Sequence, residues 1–161
     1  MKPIRYRVHA AVAIATLTTT LLAASVTMAD VLIQGLPPDM AEQLTRAKEI
    51  YVATQRKDGK RSAAVPVWFG LMDNAVWFTT GPSSHKAKRI QRGSPVFMAV
   101  KGTDGPFVKM KAEIISDGAQ AERLGTIYGQ KYWIAWLGLF RPSRARNESG
   151  KTILLKLVPS S

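Results

Sequence analysis

The residues best suited to chemistry lie in one short segment, residues 79–89, which read TTGPSSHKAKR. A strand is predicted to end here, followed by a turn of small residues and a helix capped by Ser83 or Ser84. The first turn of a helix offers unpaired backbone N–H groups and a partial positive charge, which suit a phosphate. Ser83, Ser84 and Lys86 would add hydroxyl donors and a full charge. The segment therefore predicts a phosphate site, although ordinary capping beside a solvated basic face explains the same residues.

Composition excludes several kinds of active site. The chain has no cysteine, which excludes thiol catalysis, disulfides and cysteine-ligated metals. It has two histidines, and His9 lies in the predicted leader, so a site with several histidine ligands cannot form in residues 30–161. No cluster of Asp and Glu indicates a carboxylate site either. We therefore expect no metal.

The charge of the chain is strongly positive, at +12. Three basic residues of the leader contribute 3 of these charges, which leaves +9 for residues 30–161. Such a surplus attracts nucleic acid, a membrane surface or a phosphorylated ligand, although general solubility explains it equally well. The basic segments at 86–92 and 141–146 carry no recognisable nucleic-acid-binding motif. We expect an anionic phosphorylated ligand and no nucleic-acid partner.

The first 29 residues have the three-part layout of a secretory signal peptide. Basic residues precede an uncharged apolar run over residues 10–24, and Thr27-Met28-Ala29 then offers small residues where a signal peptidase reads. The prediction is a signal peptide over 1–29, a single domain over 30–161, and a periplasmic or secreted protein. The alternative is an uncleaved anchor, which would place the protein at a membrane, but the many Ala and Thr residues make a weak membrane span.

The first half of the domain reads as a helix and a hairpin. A helix is predicted from Asp39, with apolar residues at helical spacing. Residues 50–56 and 62–69 are predicted strands, joined by a turn at Asp58-Gly59, because Asp-Gly accepts a positive φ cheaply. Pro66 lacks an N–H, so its strand must lie at an edge, at a bulge or where the ladder opens.

The rest of the domain alternates strands with short helices. A turn at Asp73-Asn74 precedes a predicted strand over residues 75–80, with Val76 and Phe78 on one face and Trp77 on the other. The further predicted elements are a short helix ending near residue 91, strands over 95–100 and 107–116, a helix over 119–128, a basic loop over 141–150 and a strand over 152–158. Tight hairpins and about six strands predict an α+β domain, a mostly antiparallel barrel that is closed or nearly closed, with flanking short helices after the signal segment.

An apolar cluster precedes the last loop and strand. Its members share large, mostly aromatic side chains in a segment predicted to be partly helical: Tyr132, Trp133, Trp136, Leu137, Leu139 and Phe140. Burial in the core or contact in a dimer is the usual role of such residues. Covering a planar cofactor is the alternative.

Residues 51–100 resemble the pyridoxamine 5′-phosphate oxidase-related superfamily. The matching motifs occur in the family's order: Thr54, Asp58-Gly59, Pro66-Val67-Trp68, Phe78-Thr79, Ser84-His85-Lys86-Ala87 and Ser94-Pro95-Val96. The final KTILLKLVP is similar to the family's closing strand. Ala64 and His85 stand where the oxidase itself has arginines.

This resemblance implies a split β-barrel homodimer that holds FMN or a deazaflavin coenzyme between its subunits. The residues implied to line the flavin ring are Ala64, Val65, Pro66 and Val67. Phe78 and Thr79 would meet the ribityl chain, while Ser84 and Lys86 would bind the phosphate. No side chain stands out as a proton donor, so no catalytic residue is predicted.

Two functions of different classes follow. The first is a flavin-dependent oxidoreductase that acts on a small molecule, in which the cofactor carries the chemistry. The second is an exported, non-catalytic module that keeps the barrel and binds flavin, haem or another anionic ligand. The second is favoured by export, because a chain that crosses a membrane unfolded cannot carry a bound cofactor.

Overall fold

A computed structural model describes residues 33–160 of the chain. The predicted leader, residues 1–29, and its cleavage site lie outside the described residues. Within residues 33–160, none of the helices combines the length and the apolar character needed to cross a membrane.

Five helices are described, and side-chain caps explain where three of them begin. Their bounds are α1 Pro38–Arg46, α2 His85–Gln91, α3 Gly118–Lys131, α4 Trp133–Trp136 and α5 Arg144–Glu148. Ser84, Asp117 and Ser143 are the N-caps of α2, α3 and α5, and each side chain accepts from a backbone N–H of the first turn. The predicted cap at Ser84 is confirmed. The basic loop predicted over 141–150 is wrong in part, because Ser143 starts a helix there.

Seven strands form a single antiparallel sheet. Their bounds are β1 Ile50–Thr54, β2 Val65–Val67, β3 Gly70–Met72, β4 Ala75–Thr80, β5 Val96–Ala99, β6 Val108–Ile115 and β7 Ile153–Pro159. The order across the sheet is β2-β1-β5-β6-β7-β4-β3, and every neighbouring pair is antiparallel. The sheet curls into a half-barrel, and this confirms the predicted split-barrel α+β class.

The first hairpin forms as predicted, but its return strand is much shorter. Gly59 adopts a φ of +78° in the turn, which suits a residue without a Cβ. Only Val65–Val67 pairs with β1, with Pro66 opposite Tyr51. β2 is an edge strand, which is where a residue without an N–H is tolerated.

The seventh strand, β3, was not predicted, because residues 70–72 lie between the predicted return strand over 62–69 and the predicted turn at Asp73-Asn74. The ladder breaks after Val67, where the Phe69 N–H donates to the Tyr132 hydroxyl at 2.9 Å instead of to a strand. The chain then pairs again over Gly70–Met72, and Asp73-Asn74 turns it into β4 with φ values of +51° and +52°. A positive φ at both central residues is typical of a two-residue hairpin turn.

Alternate residues of β4 feed two separate hydrophobic cores. Val76 and Phe78 pack with α1, α2 and the inner face of the sheet, and both are fully buried. Trp77 points to the other face, where it packs with α3 residues such as Leu124 and Tyr128. The predicted alternation along this strand is confirmed, and β4 therefore runs through the centre of the molecule.

Candidate functional site

The end of β4 is tied to the start of α2 by two hydroxyl groups. The Ser84 N–H donates to the Gly81 carbonyl at 3.1 Å, and this closes the turn that leaves β4. Ser84 Oγ then accepts from the Ala87 N–H at 3.1 Å and lies 3.2 Å from Thr80 Oγ1. A hydroxyl has one proton and two acceptor sites, so Ser84 can cap the helix and still donate once.

Lys86 is a half-buried cation without an anion. Its Nζ lies 5.3 Å from the centroid of the buried Phe78 ring. Among residues 33–160, no carboxylate forms an ion pair with it. Burial alone lowers the pKa of Lys86 to about 8. A bound anion would offset that loss of hydration, so the position favours a negatively charged ligand.

Arg89 fixes α2 against the sheet. Its Nη1 donates to Thr54 Oγ1 at 3.2 Å, from the last residue of β1. Thr54 is the one fully buried polar residue of the described chain. This bond holds the helix that carries Ser84 and Lys86 in a defined position, so both side chains are preorganised.

A cavity of about 270 Å³ opens beside the end of β4. It is lined by Val67, Trp68, Thr79, Thr80, Gly81, Tyr128, Phe140, Arg141, Pro142, Arg146 and Thr152. Because Thr80 lines this cavity and also contacts Ser84, the cavity adjoins the start of α2. We call the cavity together with Ser84 and Lys86 the β4 site.

Two of the eight predicted site residues, Val67 and Thr79, line the cavity itself. Ser84 and Lys86 lie next to it through Thr80, as described above. Ala64, Val65 and Pro66 continue from Val67 along the outer edge of the sheet, and Val65 is 43% exposed. The side chain of Phe78 is fully buried in the core, so it presents no surface to a ligand. Its ring contacts the side chain of Lys86 instead.

The cavity wall opposite β4 is aromatic and well braced. Trp68 stacks on Tyr132 with the ring centroids 4.3 Å apart and the planes 5° from parallel. The Tyr128 hydroxyl donates to the Trp68 carbonyl oxygen. Burial raises the pKa of Tyr128 well above its usual value, so this phenol stays protonated at neutral pH.

Arg141 and Arg146 line the cavity and were not predicted as site residues. The sequence showed a basic segment at 141–146 but nothing that placed it beside β4. Gly125 of α3 makes the approach possible, because a Cβ there would collide with the carbonyl oxygen of Pro142. The packing of α3 against residues 141–146 thus brings two arginines to the cavity.

An exposed apolar surface adjoins the same cavity. Its members and their exposed fractions are Trp133 75%, Trp136 73%, Leu137 56%, Leu139 56% and Phe140 77%. We call this surface the aromatic patch. Tyr132 alone of the predicted cluster is in the core, so core burial is wrong for the patch residues. Contact in a dimer and covering a cofactor stay open for the patch, and Phe140 lines the cavity.

Metal-binding geometry is not found in the described part of the chain. No group of three or more His, Cys, Asp or Glu side chains there could hold a metal ion. What residues 33–160 do bring together at the β4 site is hydroxyls, cations and an aromatic wall. Such a set binds anions with a planar or apolar part.

Known structures share this architecture. A conserved hypothetical protein from Mycobacterium tuberculosis is 18% identical, with a TM-score of 0.56 over 81% of this chain and 84% of that one. HutZ, a heme storage protein from Vibrio cholerae, is 14% identical, with a TM-score of 0.55 over 78% and 91%. An F420 reductase is 20% identical, with a TM-score of 0.52 over 78% and 97%. At these identities the likeness establishes the fold alone.

Sequence comparison identifies the family. No curated protein matches the chain significantly in sequence. The family model described as pyridoxamine 5′-phosphate oxidase matches residues 36–160, which include every strand of the half-barrel and the whole β4 site. The chain therefore belongs to the pyridoxamine 5′-phosphate oxidase family.

Proposed function

We propose that the β4 site holds FMN or a deazaflavin coenzyme, and that the protein uses it to oxidise or reduce a small molecule. The observation that carries the proposal is Lys86, a half-buried cation without a carboxylate partner in the described chain, in the first turn of the helix that Ser84 caps. A lysine at a helix N-terminus meets the positive end of the helix dipole, so its position is unfavourable until an anion binds. A phosphate accepting from Ser84 and Lys86 would relieve both costs.

The neighbouring surface fits the rest of such a ligand. Thr79 lines the cavity and would meet the ribityl chain, while Val67 would lie against the ring. Ala64, Val65 and Pro66 extend this surface along the edge strand β2, where one side of the backbone has no strand beside it. An edge interrupted by proline can present its backbone polar groups to a planar ring.

Two further cations sit where a second negative group would lie. Arg141 and Arg146 line the same cavity as Thr79 and Thr80. Guanidinium groups bind carboxylates and phosphates through paired donors. We therefore assign them to ligand binding as well.

A bound flavin would supply hydride transfer, and the protein's part is to place it. Ser84 and Lys86 would hold the phosphate end, and the braced Trp68 would close one side of the cavity. Tyr128 keeps its proton at neutral pH because its pKa is raised well above the usual value. Tyr128 is therefore not poised to exchange a proton near pH 7.

A second candidate is a non-catalytic module that binds flavin, haem or another anionic ligand. One structural relative is named a heme storage protein. Arg141 and Arg146 would suit the two carboxylates of a haem as well as a phosphate. This candidate uses the same cavity and differs in needing no reaction.

A second copy of the chain is proposed to cover the aromatic patch. Exposed apolar patches of this kind mark interaction surfaces, and Trp is enriched at the centres of such interfaces. Because Phe140 belongs both to the patch and to the cavity wall, a dimer through the patch would close the β4 site. The homodimer and the ligand site would then depend on each other.

The test of the β4 site is the substitution Lys86→Ala. Losing a charge-assisted hydrogen bond costs about 1.5–3 kcal/mol, so FMN affinity should fall by about 10- to 150-fold. Riboflavin lacks the phosphate, and its affinity should barely change. Fluorescence titration of both flavins into wild type and variant measures the contrast.

Lys88→Ala is the matched control, because Lys88 is exposed on the same helix. It should leave the affinity for both flavins unchanged. Equal FMN affinity of wild type and the Lys86 variant would overturn the phosphate site. If wild type binds haemin but neither flavin, the second candidate replaces the first.

A further inference from the structure

A second cavity, of about 350 Å³, lies at the opposite end of the β2–β3 connection from the β4 site. It is lined by Leu44, Thr45, Arg46, Ala47, Lys48, Gly70, Leu71, Ile127 and Lys131. These residues come from the end of α1, the start of β3 and the second half of α3. We call this cavity the Lys131 groove, and its properties are independent of the proposed flavin function.

Lys131 is the polar centre of the groove. Its Nζ donates to the Phe69 carbonyl at 3.4 Å and lies 3.3 Å from the centroid of the Phe69 ring. Within residues 33–160 it forms no ion pair with a carboxylate. Burial alone lowers the pKa of Lys131 to about 8. The ammonium group has lost much of its water and gained only a carbonyl and a ring face.

The other charged groups around the groove leave it positive. Arg46 forms an ion pair with Glu42 at 2.9 Å. Lys48 has no ion pair within the described chain. Glu49, next to Lys48 in sequence, accepts a hydrogen bond from Tyr51 at 2.8 Å.

The Tyr132 ring lies 5.6 Å from Lys131 Nζ, and burial raises its pKa to about 12, so it is neutral. Within residues 33–160 neither Lys131 nor Lys48 is paired with a carboxylate, so both can meet an anion.

The walls of the groove are aliphatic and closely built. Leu71 and Ile127 provide them, and the buried Leu44 supports them from the core. Gly70 sets their spacing, because a Cβ there would lie 2.6 Å from Leu124 and 3.0 Å from Ile127. α3 therefore packs directly onto the backbone of β3, and the groove runs between α3 and the end of α1.

We propose that the Lys131 groove binds an aliphatic monocarboxylate, with the carboxylate at Lys131 and Lys48 and the alkyl chain against Leu71 and Ile127. Cations at one end and branched aliphatic side chains along the walls match the two halves of such a molecule. No aromatic ring is among the groove's lining residues. An alkyl chain is therefore a better match than a flat ring.

The experiment titrates octanoate into the full chain and follows the methyl NMR signals of Leu71 and Ile127. Octanoate should shift them saturably. Octanol, which has the chain without the charge, and acetate, which has the charge without the chain, should each bind at least 10-fold more weakly. Absence of saturable shifts with octanoate would overturn the proposal.

Lys131→Met removes the charge and keeps an unbranched side chain of similar length. It should weaken octanoate binding by about 10-fold, the effect of one charge-assisted hydrogen bond. Lys101→Met, at an exposed lysine between β5 and β6, is the matched control and should change nothing. Equal binding by wild type and the Lys131 variant would contradict the assignment.

A measurement on wild type covers the case in which the Lys131 variant does not fold. Octanoate affinity should fall between pH 7 and pH 9.5, because Lys131 loses its proton as the pH passes about 8. An affinity that does not change with pH would overturn the proposal. FMN should not compete with octanoate, and competition would place the octanoate in the β4 site instead.

Discussion

Lys86 and Lys131 are alike in three respects and differ in one that separates their roles. Each is half-buried, each has a Phe ring beside its ammonium group, and burial lowers the pKa of each to about 8. Lys131 lies in the last turn of α3, where the negative end of the helix dipole favours a cation. Lys86 lies in the first turn of α2, where the dipole opposes it.

The difference shows that packing and electrostatics explain the position of Lys86 less well than that of Lys131. Lys131 gains from the dipole and from the Phe69 carbonyl, so packing accounts for part of its position. Lys86 gains from neither and still lies next to a cavity. A residue placed against its electrostatic preference is the better indicator of a ligand, and this is why the β4 site carries the functional proposal.

The two regions also differ in whether the surrounding surface is complete. No residue of the aromatic patch is among the lining residues of the Lys131 groove, whereas Phe140 belongs to both the patch and the wall of the β4 site. A dimer through the patch would therefore affect only the β4 site. The predictions below use this contrast.

The largest effect is expected from the double substitution Trp133→Ser and Trp136→Ser. Aromatic anchors at interfaces contribute about 2 kcal/mol or more each, so the dimer dissociation constant should rise on the order of 1,000-fold. Light scattering should show a dimer for wild type and a monomer for the variant at micromolar concentration. FMN affinity should fall with the dimer, while octanoate binding at Lys131 should persist.

Three results would contradict this prediction. A wild-type monomer at micromolar concentration, or a variant that remains dimeric, would remove the aromatic patch from the interface. Loss of octanoate binding together with the dimer would mean that the Lys131 groove is not complete in one chain.

The next effect is on stability, from Gly125→Ala in the middle of α3. Its Cβ would meet the Pro142 carbonyl, a backbone atom that must move, and overpacking of this kind costs about 1–3 kcal/mol. Gly129→Ala is the matched control, because the nearest atom to its Cβ is 3.9 Å away. That change should stabilise the helix by about 0.5–1 kcal/mol.

Urea unfolding measures both glycine variants. Gly125→Ala should also weaken FMN binding, since Arg141 and Pro142 line the cavity, and should leave octanoate binding intact. Equal stability of the two variants would show that residues 141–146 adapt to α3 freely and are not held against Gly125.

The smallest effect is the pH dependence of stability contributed by each lysine. The folded-state pKa of about 8 lies below the ordinary value of 10.5, so the unfolded chain binds more protons between these limits. Stability must therefore rise with pH above about 8. After allowance for solvent screening, each lysine should contribute about 1 kcal/mol by pH 9.5.

Each ligand should remove the pH-dependent increase in stability that one of the two lysines contributes. Unfolding at pH 7.5 and pH 9.5 would be compared for wild type, Lys86→Met and Lys131→Met, each with and without FMN or octanoate. FMN should abolish the contribution of Lys86 and leave that of Lys131, and octanoate should do the reverse. If the rise in stability with pH is unchanged in Lys86→Met and also in Lys131→Met, it comes from other titratable groups.

The local part of the β4 site could be predicted from sequence, and the distant part could not. Ser84 and Lys86 belong to one helix start, whose residue types reveal the cap and the charge directly. Arg141 and Arg146 reach the cavity because Gly125 lets residues 141–146 approach α3, and no short-range pattern encodes that contact. No sequence pattern singled out Lys131, which lies beyond the helix predicted over 119–128.

The strands, too, could be predicted only where neighbouring residues in the sequence determine them. The β4 alternation of Val76, Trp77 and Phe78 was predictable because side-chain direction follows from the period of two along a strand. The break between β2 and β3 was not, because it depends on a hydrogen bond from Phe69 to Tyr132, 63 residues further along the chain.

The Tyr132 hydroxyl also slows hydrogen exchange with solvent at the break between β2 and β3. It accepts from the Phe69 N–H at 2.9 Å, and it lies 2.7 Å from the Lys48 carbonyl and 3.0 Å from that of Phe69. An amide in a connection between strands normally exchanges its hydrogen quickly, through fraying of the loop. The Phe69 amide can exchange only when Tyr132 withdraws, and that ring also stacks on Trp68 in the cavity wall. Its deuterium uptake therefore times the opening of the segment that separates the cavity from the groove.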